Sequence, residues 1–111
     1  MQYGLSENVI SKIYTVLEQY PAVEKAVLYG SRAKGNFKPS SDIDITLKGN
    51  NIDLKLLSRI ILKLDDLLLP YKIDLSIYNH IANQELLYHI DRVGKILWDV
   101  NNIRINKKLI A

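Results

Sequence analysis

The sequence contains no cysteine, one tryptophan, one phenylalanine and only three prolines. Without cysteine it has neither a disulfide framework nor a thiolate metal site, which suits a cytoplasmic protein. It also lacks a long uninterrupted apolar run, because charged side chains break its most apolar stretch, residues 54–70. That stretch predicts a buried helix and no membrane span. We also expect no secretory signal, since no cationic segment followed by an apolar run opens the sequence.

A strong excess of one charge is absent as well. The chain has 15 basic and 12 acidic residues, a net charge of +3. Three of the basic residues, Arg104, Lys107 and Lys108, lie near the C-terminus, so the rest of the chain is close to neutral. A nucleic-acid-binding domain more often has a basic stripe with interleaved aromatic residues. We therefore expect no direct contact with nucleic acid.

The length and the hydrophobic pattern indicate one small α/β domain. At 111 residues, 48% hydrophobic and 24% charged, the chain fits a single soluble domain with a core over 1–99 and a basic tail over 100–111. The predicted helices are 6–20, a short one within 30–35, 53–69 and 83–93, and the predicted strands are 23–29, 42–47, 72–78 and 95–98. This order favours an α/β (α+β) fold: one helical layer of about four helices over a small mixed sheet of three to four strands.

Two aspartates on one predicted strand are the sharpest feature. Asp42 and Asp44 lie two residues apart, so their carboxylates share the strand face that Ile43 and Ile45 do not use. Adjacent like charges repel, and a divalent cation between hard oxygen ligands removes that cost, which favours Mg²⁺. Taken alone, an Asp-Xaa-Asp pair is more typical of a solvated strand face.

Gly30-Ser31 and Asp74 strengthen the metal interpretation. Gly30-Ser31 follows a buried strand and opens a short helix, where free backbone N–H groups and a hydroxyl suit phosphate oxygens, although alone it usually marks a turn. Asp74 lies on the polar face of the next strand. If that strand neighbours the one with Asp44, three carboxylates converge at one end of the sheet, enough for a two-metal site.

The alternatives for a third acid are less specific. Asp74 alone also fits an exposed strand residue paired with Lys72. Asp65 and Asp66 lie in mid-helix and are more typical of a solvated face. The two histidines, His80 and His89, have no metal-ligand spacing, and we expect His89 at a surface or an interface and not in catalysis.

The complete pattern resembles the signature of the DNA polymerase beta-like nucleotidyltransferase superfamily. That signature is Gly-Ser, ten residues and Asp-Xaa-Asp; here these are Gly30-Ser31, residues 32–41 and Asp42-Ile43-Asp44, with Asp74 as the later acid. The resemblance extends from the first helix to Trp98. Within the superfamily the chain resembles the minimal nucleotidyltransferase (MNT) group, small proteins that pair with an all-helical HEPN protein.

The resemblance implies a role for each site residue. Asp42 and Asp44 would hold two Mg²⁺ ions, and Asp74 would ligate the catalytic ion and help to deprotonate the acceptor hydroxyl. Gly30 and Ser31 would carry the phosphates of ATP. Arg32 would reach the triphosphate or the partner, although a surface salt bridge explains this residue nearly as well.

The implied reaction is Mg²⁺-dependent transfer of AMP from ATP to a hydroxyl of a protein partner, with the chain as the antitoxin of a HEPN-type toxin. The alternative is a non-catalytic antitoxin, or a nucleotide-binding subunit, that occludes its partner. The intact Gly-Ser and the three acids favour the enzyme, because an occluding protein has no need of them.

Overall fold

The computed structural model describes residues 1–102. The elements in this range are α1 (Glu7–Leu17), β1 (Lys25–Tyr29), α2 (Ser31–Lys34), β2 (Ile43–Lys48), α3 (Leu54–Asp65), β3 (Ile73–Ile77), a 3₁₀ turn (Tyr78–His80), α4 (Gln84–Val93) and β4 (Lys95–Asp99). The three basic residues of the predicted tail, Arg104, Lys107 and Lys108, lie outside the described residues. Within 1–102, no helix is long and apolar enough to cross a membrane.

The three longer helices begin at polar residues that cap them. Ser6 caps α1, Asp53 caps α3 and Asn83 caps α4, each accepting a hydrogen bond from the amide three residues later, at N···O distances of 3.2, 2.8 and 3.0 Å. These bonds satisfy amides that have no partner inside the helix. The predicted helix starts are therefore explained by local hydrogen bonding.

The end of α3 differs from the sequence prediction. The apolar pattern continues to Leu69, but the helix ends at Asp65. Leu68 adopts a left-handed backbone conformation with φ of 53°, and Pro70 disfavours a helical conformation of the residue before it. The last apolar residues of the run therefore belong to the connection that leads into β3.

The four strands form one mixed sheet in the order β3-β2-β1-β4. β1 pairs antiparallel with β2 and with β4, whereas β2 and β3 are parallel. A parallel pair needs a crossover connection, and α3 supplies it. The predicted mixed sheet is confirmed, and β4 lies at its edge with Trp98 buried in the core.

Helices cover both faces of the sheet, so the prediction of a single helical layer was wrong. α1 and α3 pack on the face that contains Leu28, Ile43 and Ile45. On the opposite face, Ile90 of α4 packs against Val27 and Tyr29 of β1. β1 is apolar on both faces, and two apolar faces need two covering layers.

Candidate active site

Three side chains form a row across the face of the sheet on which α4 packs. The strand register pairs Tyr29 of β1 with Asp44 of β2, and Asp44 with Asp74 of β3. Asp44 lies on the α4 face because Ile43 and Ile45, which alternate with it, are fully buried in the main core. The predicted neighbourhood of Asp44 and Asp74 is therefore present, with the two strands directly paired. Asp42 precedes β2 and is exposed.

The carboxylates act on one another electrostatically. Partial burial raises the pKa of Asp44, and the carboxylates of Asp74 and Asp42 raise it further, while the nearby His89 and Lys72 act in the opposite direction. Like charges that share a site disfavour ionisation of each member. The site therefore concentrates negative charge that a bound cation would neutralise.

The donor chemistry fits Mg²⁺, although the acids do not form a ready-made cage. Within residues 1–102, no three side chains of histidine, cysteine, aspartate or glutamate lie close enough together to form a metal-binding group. Mg²⁺ usually keeps several waters and takes only one or two protein carboxylates together with substrate phosphates. The paired Asp44 and Asp74, with Asp42 nearby, match that requirement better than they match a closed three-ligand site.

Gly30 makes room for the Asp44 carboxylate. Its backbone has φ of 76° and ψ of −157°, a region that is essentially restricted to glycine. A Cβ atom at this position would collide with Oδ2 of Asp44. The glycine of the Gly-Ser pair is therefore required by the close approach of β1 and the Asp44 side chain.

The amide of Gly30 has a partner that the sequence did not predict. Its N–H donates to Nε2 of His89 at an N···N distance of 3.0 Å. The sequence predicted a free amide here, whereas the structure gives it a partner. His89 lies on α4, and its ring meets the ring of Tyr29 edge-on at 6.2 Å between centroids. The sequence favours a surface or interface position for His89, and the side chain is half-buried and hydrogen-bonded to the Gly-Ser pair. No sequence signal marks His89, because the contact depends on how α4 packs on the sheet.

Tyr29 connects this group to the neighbouring strand. Burial and the carboxylates of Asp74 and Asp44 raise the pKa of its hydroxyl, and a hydrogen bond with Ser76 acts in the opposite direction. Ser76 also donates to the hydroxyl of Thr46 at 2.9 Å, and Thr46 is fully buried. The acids therefore lie beside a partly buried polar network and not on a fully solvated strand face.

Arg32 does not have the position expected for a phosphate ligand. Its side chain is only 1% exposed, and its guanidinium donates to the backbone carbonyl oxygens of Tyr3, Pro39 and Ser41 at 2.9–3.2 Å. The guanidinium also lies over the rings of Phe37 and Tyr71. Both earlier interpretations, contact with triphosphate and a surface salt bridge, were wrong, because the buried cation is already bound by its own chain.

Arg32 nevertheless affects the site through its hydrogen bonds. The backbone carbonyl of Ser41 accepts hydrogen bonds from two side-chain nitrogens of Arg32. Ser41 immediately precedes Asp42. Arg32 itself follows Ser31. The hydrogen bonds of Arg32 therefore hold the loop between the Gly-Ser pair and Asp42 in place. They also link that loop to the N-terminal segment at Tyr3.

A family comparison matches most of this chain. The family described as polymerase beta nucleotidyltransferase matches residues 11–103, which include the Gly-Ser pair and all three acids. The chain belongs to this family. As a polymerase beta-type nucleotidyltransferase it has the predicted signature in the predicted fold. A comparison with curated proteins finds no significant match.

Solved structures resemble this nucleotidyltransferase over nearly its whole length. One is a toxin–antitoxin with AMP-PNP: TM-score 0.65, 25% identity, 90% of this chain and 88% of that chain covered. Another is a variant of the toxin–antitoxin MntA–HpeT: TM-score 0.62, 26% identity, coverage 95% and 89%. A third is a tri-AMPylated HEPN toxin of Shewanella oneidensis in complex with MNT antitoxin: TM-score 0.63, coverage 90% and 77%. At 22% identity, this third similarity shows a shared fold and no more. The predicted resemblance to the MNT group is confirmed at the level of family and fold.

Proposed function

We propose that this nucleotidyltransferase transfers AMP from ATP to a hydroxyl of a HEPN-type toxin and thereby acts as its antitoxin, in the cytoplasm. The observation that carries the proposal is the row of Asp44 and Asp74, with Asp42 nearby and Gly30 shaped around the Asp44 carboxylate. Family membership supports nucleotidyl transfer. The similar structures, one with AMP-PNP and one with an AMPylated HEPN toxin, support ATP as the donor and a HEPN protein as the acceptor.

In this reaction the acceptor oxygen forms a bond to the α-phosphorus of ATP, and the bond from that phosphorus to pyrophosphate breaks. The proton of the acceptor hydroxyl passes to Asp74, the exposed carboxylate of the pair. Asp42, Asp44 and Asp74 would hold Mg²⁺, which when bound neutralises the phosphate charge and makes the hydroxyl easier to deprotonate. Gly30 and Ser31 orient the triphosphate. Positioning and electrostatic stabilisation then supply most of the rate enhancement.

The test uses the purified chain, Mg²⁺, ATP labelled at the α-phosphate and the purified HEPN protein encoded beside it. We expect label on the HEPN protein, dependent on Mg²⁺ and lost with Asp44→Ala. Asp65→Ala, an exposed carboxyl on α3, is the matched control and should transfer normally. The proposal fails if no label is transferred, or if Asp44→Ala transfers as well as the wild type.

A further inference from the structure

His89 is hydrogen-bonded to the backbone amide of Gly30, which the proposed function assigns to the phosphates of ATP. Its Nε2 accepts the N–H of Gly30 at 3.0 Å, so this nitrogen has no hydrogen and the proton of the neutral ring is on Nδ1. A backbone amide has a single hydrogen to donate. A phosphate oxygen that takes the Gly30 amide must therefore replace the imidazole.

We propose that His89 competes with the nucleotide for the Gly30 amide and is displaced when a phosphate oxygen binds there. The inference rests on the proposed function, because it takes Gly30 as a phosphate-binding residue. It goes further by assigning to α4 a residue that sets nucleotide affinity. The ligand class follows from the chemistry of the exchange: an anionic oxygen acceptor replaces a neutral nitrogen acceptor.

The surroundings of His89 allow the exchange. The imidazole is half-buried: its Nε2 accepts from the Gly30 amide, its ring meets the ring of Tyr29 edge-on, and Asp44 lies near it. A rotation of the side chain therefore does not have to open the core. The charged phosphate oxygen also forms a stronger hydrogen bond with the amide than the neutral imidazole does. The nucleotide can thus displace the ring, but at a cost to its own affinity.

The first experiment detects the hydrogen bond directly in the wild-type chain. An N–H···N bond gives a scalar coupling across the hydrogen bond between the two nitrogen nuclei, here the amide of Gly30 and Nε2 of His89. We expect this coupling in the free protein and its loss on saturation with AMP-PNP and Mg²⁺. A coupling that persists at saturation overturns the proposal.

The second experiment measures affinity. His89→Leu removes the competing acceptor, and we expect AMP-PNP with Mg²⁺ to bind about two- to tenfold more tightly, the usual worth of one hydrogen bond. His80→Leu is the matched control, because His80 is exposed in the 3₁₀ turn, and its affinity should equal that of the wild type. Weaker binding by His89→Leu would mean that the imidazole supports the site, and would overturn competition.

The outcomes separate this inference from the proposed function. If the wild type does not bind AMP-PNP with Mg²⁺, both fail, because there is no nucleotide to displace the imidazole. If the wild type binds and transfers AMP but His89→Leu binds no more tightly, the His89 inference alone fails. The coupling measurement needs no substitution, so the proposal stays testable even if His89→Leu does not fold.

Discussion

Gly30 illustrates how one residue is constrained by two independent requirements. Its backbone conformation is open essentially only to glycine, and the space where a Cβ would stand is filled by Oδ2 of Asp44. The first requirement is set by the φ and ψ angles of Gly30 itself. The second is set by the Asp44 carboxylate on the neighbouring strand, to which the proposed function assigns Mg²⁺. We therefore expect both stability and activity to depend on the absence of a Cβ atom at this position.

We predict that Gly30→Ala lowers both stability and AMP transfer. The backbone strain alone costs about 1–3 kcal/mol, and the collision displaces the Asp44 carboxylate. Gly35→Ala is the matched control: its φ is 93°, but nothing lies within 4 Å of the added Cβ. Urea unfolding and labelled-ATP transfer should show that Gly35→Ala loses some stability and keeps activity. Equal activity losses in the two variants would contradict the role assigned to the Asp44 contact.

Asp44 should make stability depend on pH in a defined direction. Its pKa is raised in the folded protein, mainly by burial and then by Asp74 and Asp42. The folded state therefore holds the proton more readily than the unfolded chain does. The resulting stability is complete below the unfolded pKa and is lost as the pH rises through the folded pKa.

We therefore predict that Asp44→Asn, which stays neutral, gains stability relative to the wild type as the pH rises from about 3 to 7. Thermal unfolding measures the difference, and added Mg²⁺ should reduce it by stabilising only the wild type. Asp65→Asn, at an exposed position, should show no such trend. A difference that stays constant over this pH range would contradict the raised pKa of Asp44.

Arg32 is a buried cation whose partners are backbone carbonyl groups of three other residues. We predict that Arg32→Lys lowers the free energy of unfolding by about 2–4 kcal/mol, because one ammonium group cannot replace the planar guanidinium and some of the carbonyl oxygens lose their donors. Arg59→Lys on the exposed face of α3 should change it little. Unfolding in urea measures both. Wild-type stability combined with weaker nucleotide binding would instead restore Arg32 as a phosphate ligand.

At the scale of elements, local chemistry explains which predictions succeeded. Helix starts follow from caps such as Ser6 and Asn83, and strands follow from alternation such as Ile43–Ile45 around Asp44. Both signals act within a few residues and can be read from the sequence. The end of α3 was missed because the left-handed conformation of Leu68 has no local marker in an apolar run.

The partners of side chains were less predictable than the elements. Arg32 and His89 both form contacts with residues far along the chain, to Tyr3 and to Gly30. An arginine beside a Gly-Ser pair is compatible with phosphate contact and with a buried structural role, and only packing distinguishes them. The contact between His89 and Gly30 depends on the packing of α4 on the second face of the sheet, because this packing brings residue 89 to the end of β1.

α4 should therefore influence the site through its position. We predict that Asn83→Ala, which removes the cap of α4, costs about 1 kcal/mol and speeds hydrogen exchange of the Gly30 amide, because His89 is held less firmly. Ser6→Ala removes the cap of α1, on the other face of the sheet, and is the control. It should cost a similar stability and leave Gly30 exchange unchanged. Equal rates of Gly30 amide exchange in both variants would contradict the influence of α4 on the site.

At the scale of the whole molecule, the acids and the core occupy different sides of the sheet. The main core lies between the sheet and the α1–α3 layer, whereas the carboxylates lie on the α4 face. Removal of the acidic charges therefore leaves the main packing intact and relieves repulsion among the carboxylates. The acidic side chains can thus be replaced without disturbing the main core.

This separation distinguishes an enzymatic antitoxin from one that only occludes its partner. We predict that the triple variant Asp42→Asn, Asp44→Asn and Asp74→Asn folds at least as stably as the wild type, still binds the HEPN protein, and fails to neutralise it in cells. The physical reason is that the proposed reaction assigns the carboxylates to the metal, and no part of the main core depends on them. Co-expression with the toxin, monitored by growth and by copurification of the pair, gives both readouts. Asp65→Asn should neutralise normally. Growth rescued by the triple variant would show that binding alone silences the toxin, in which case the carboxylates would be dispensable for neutralisation.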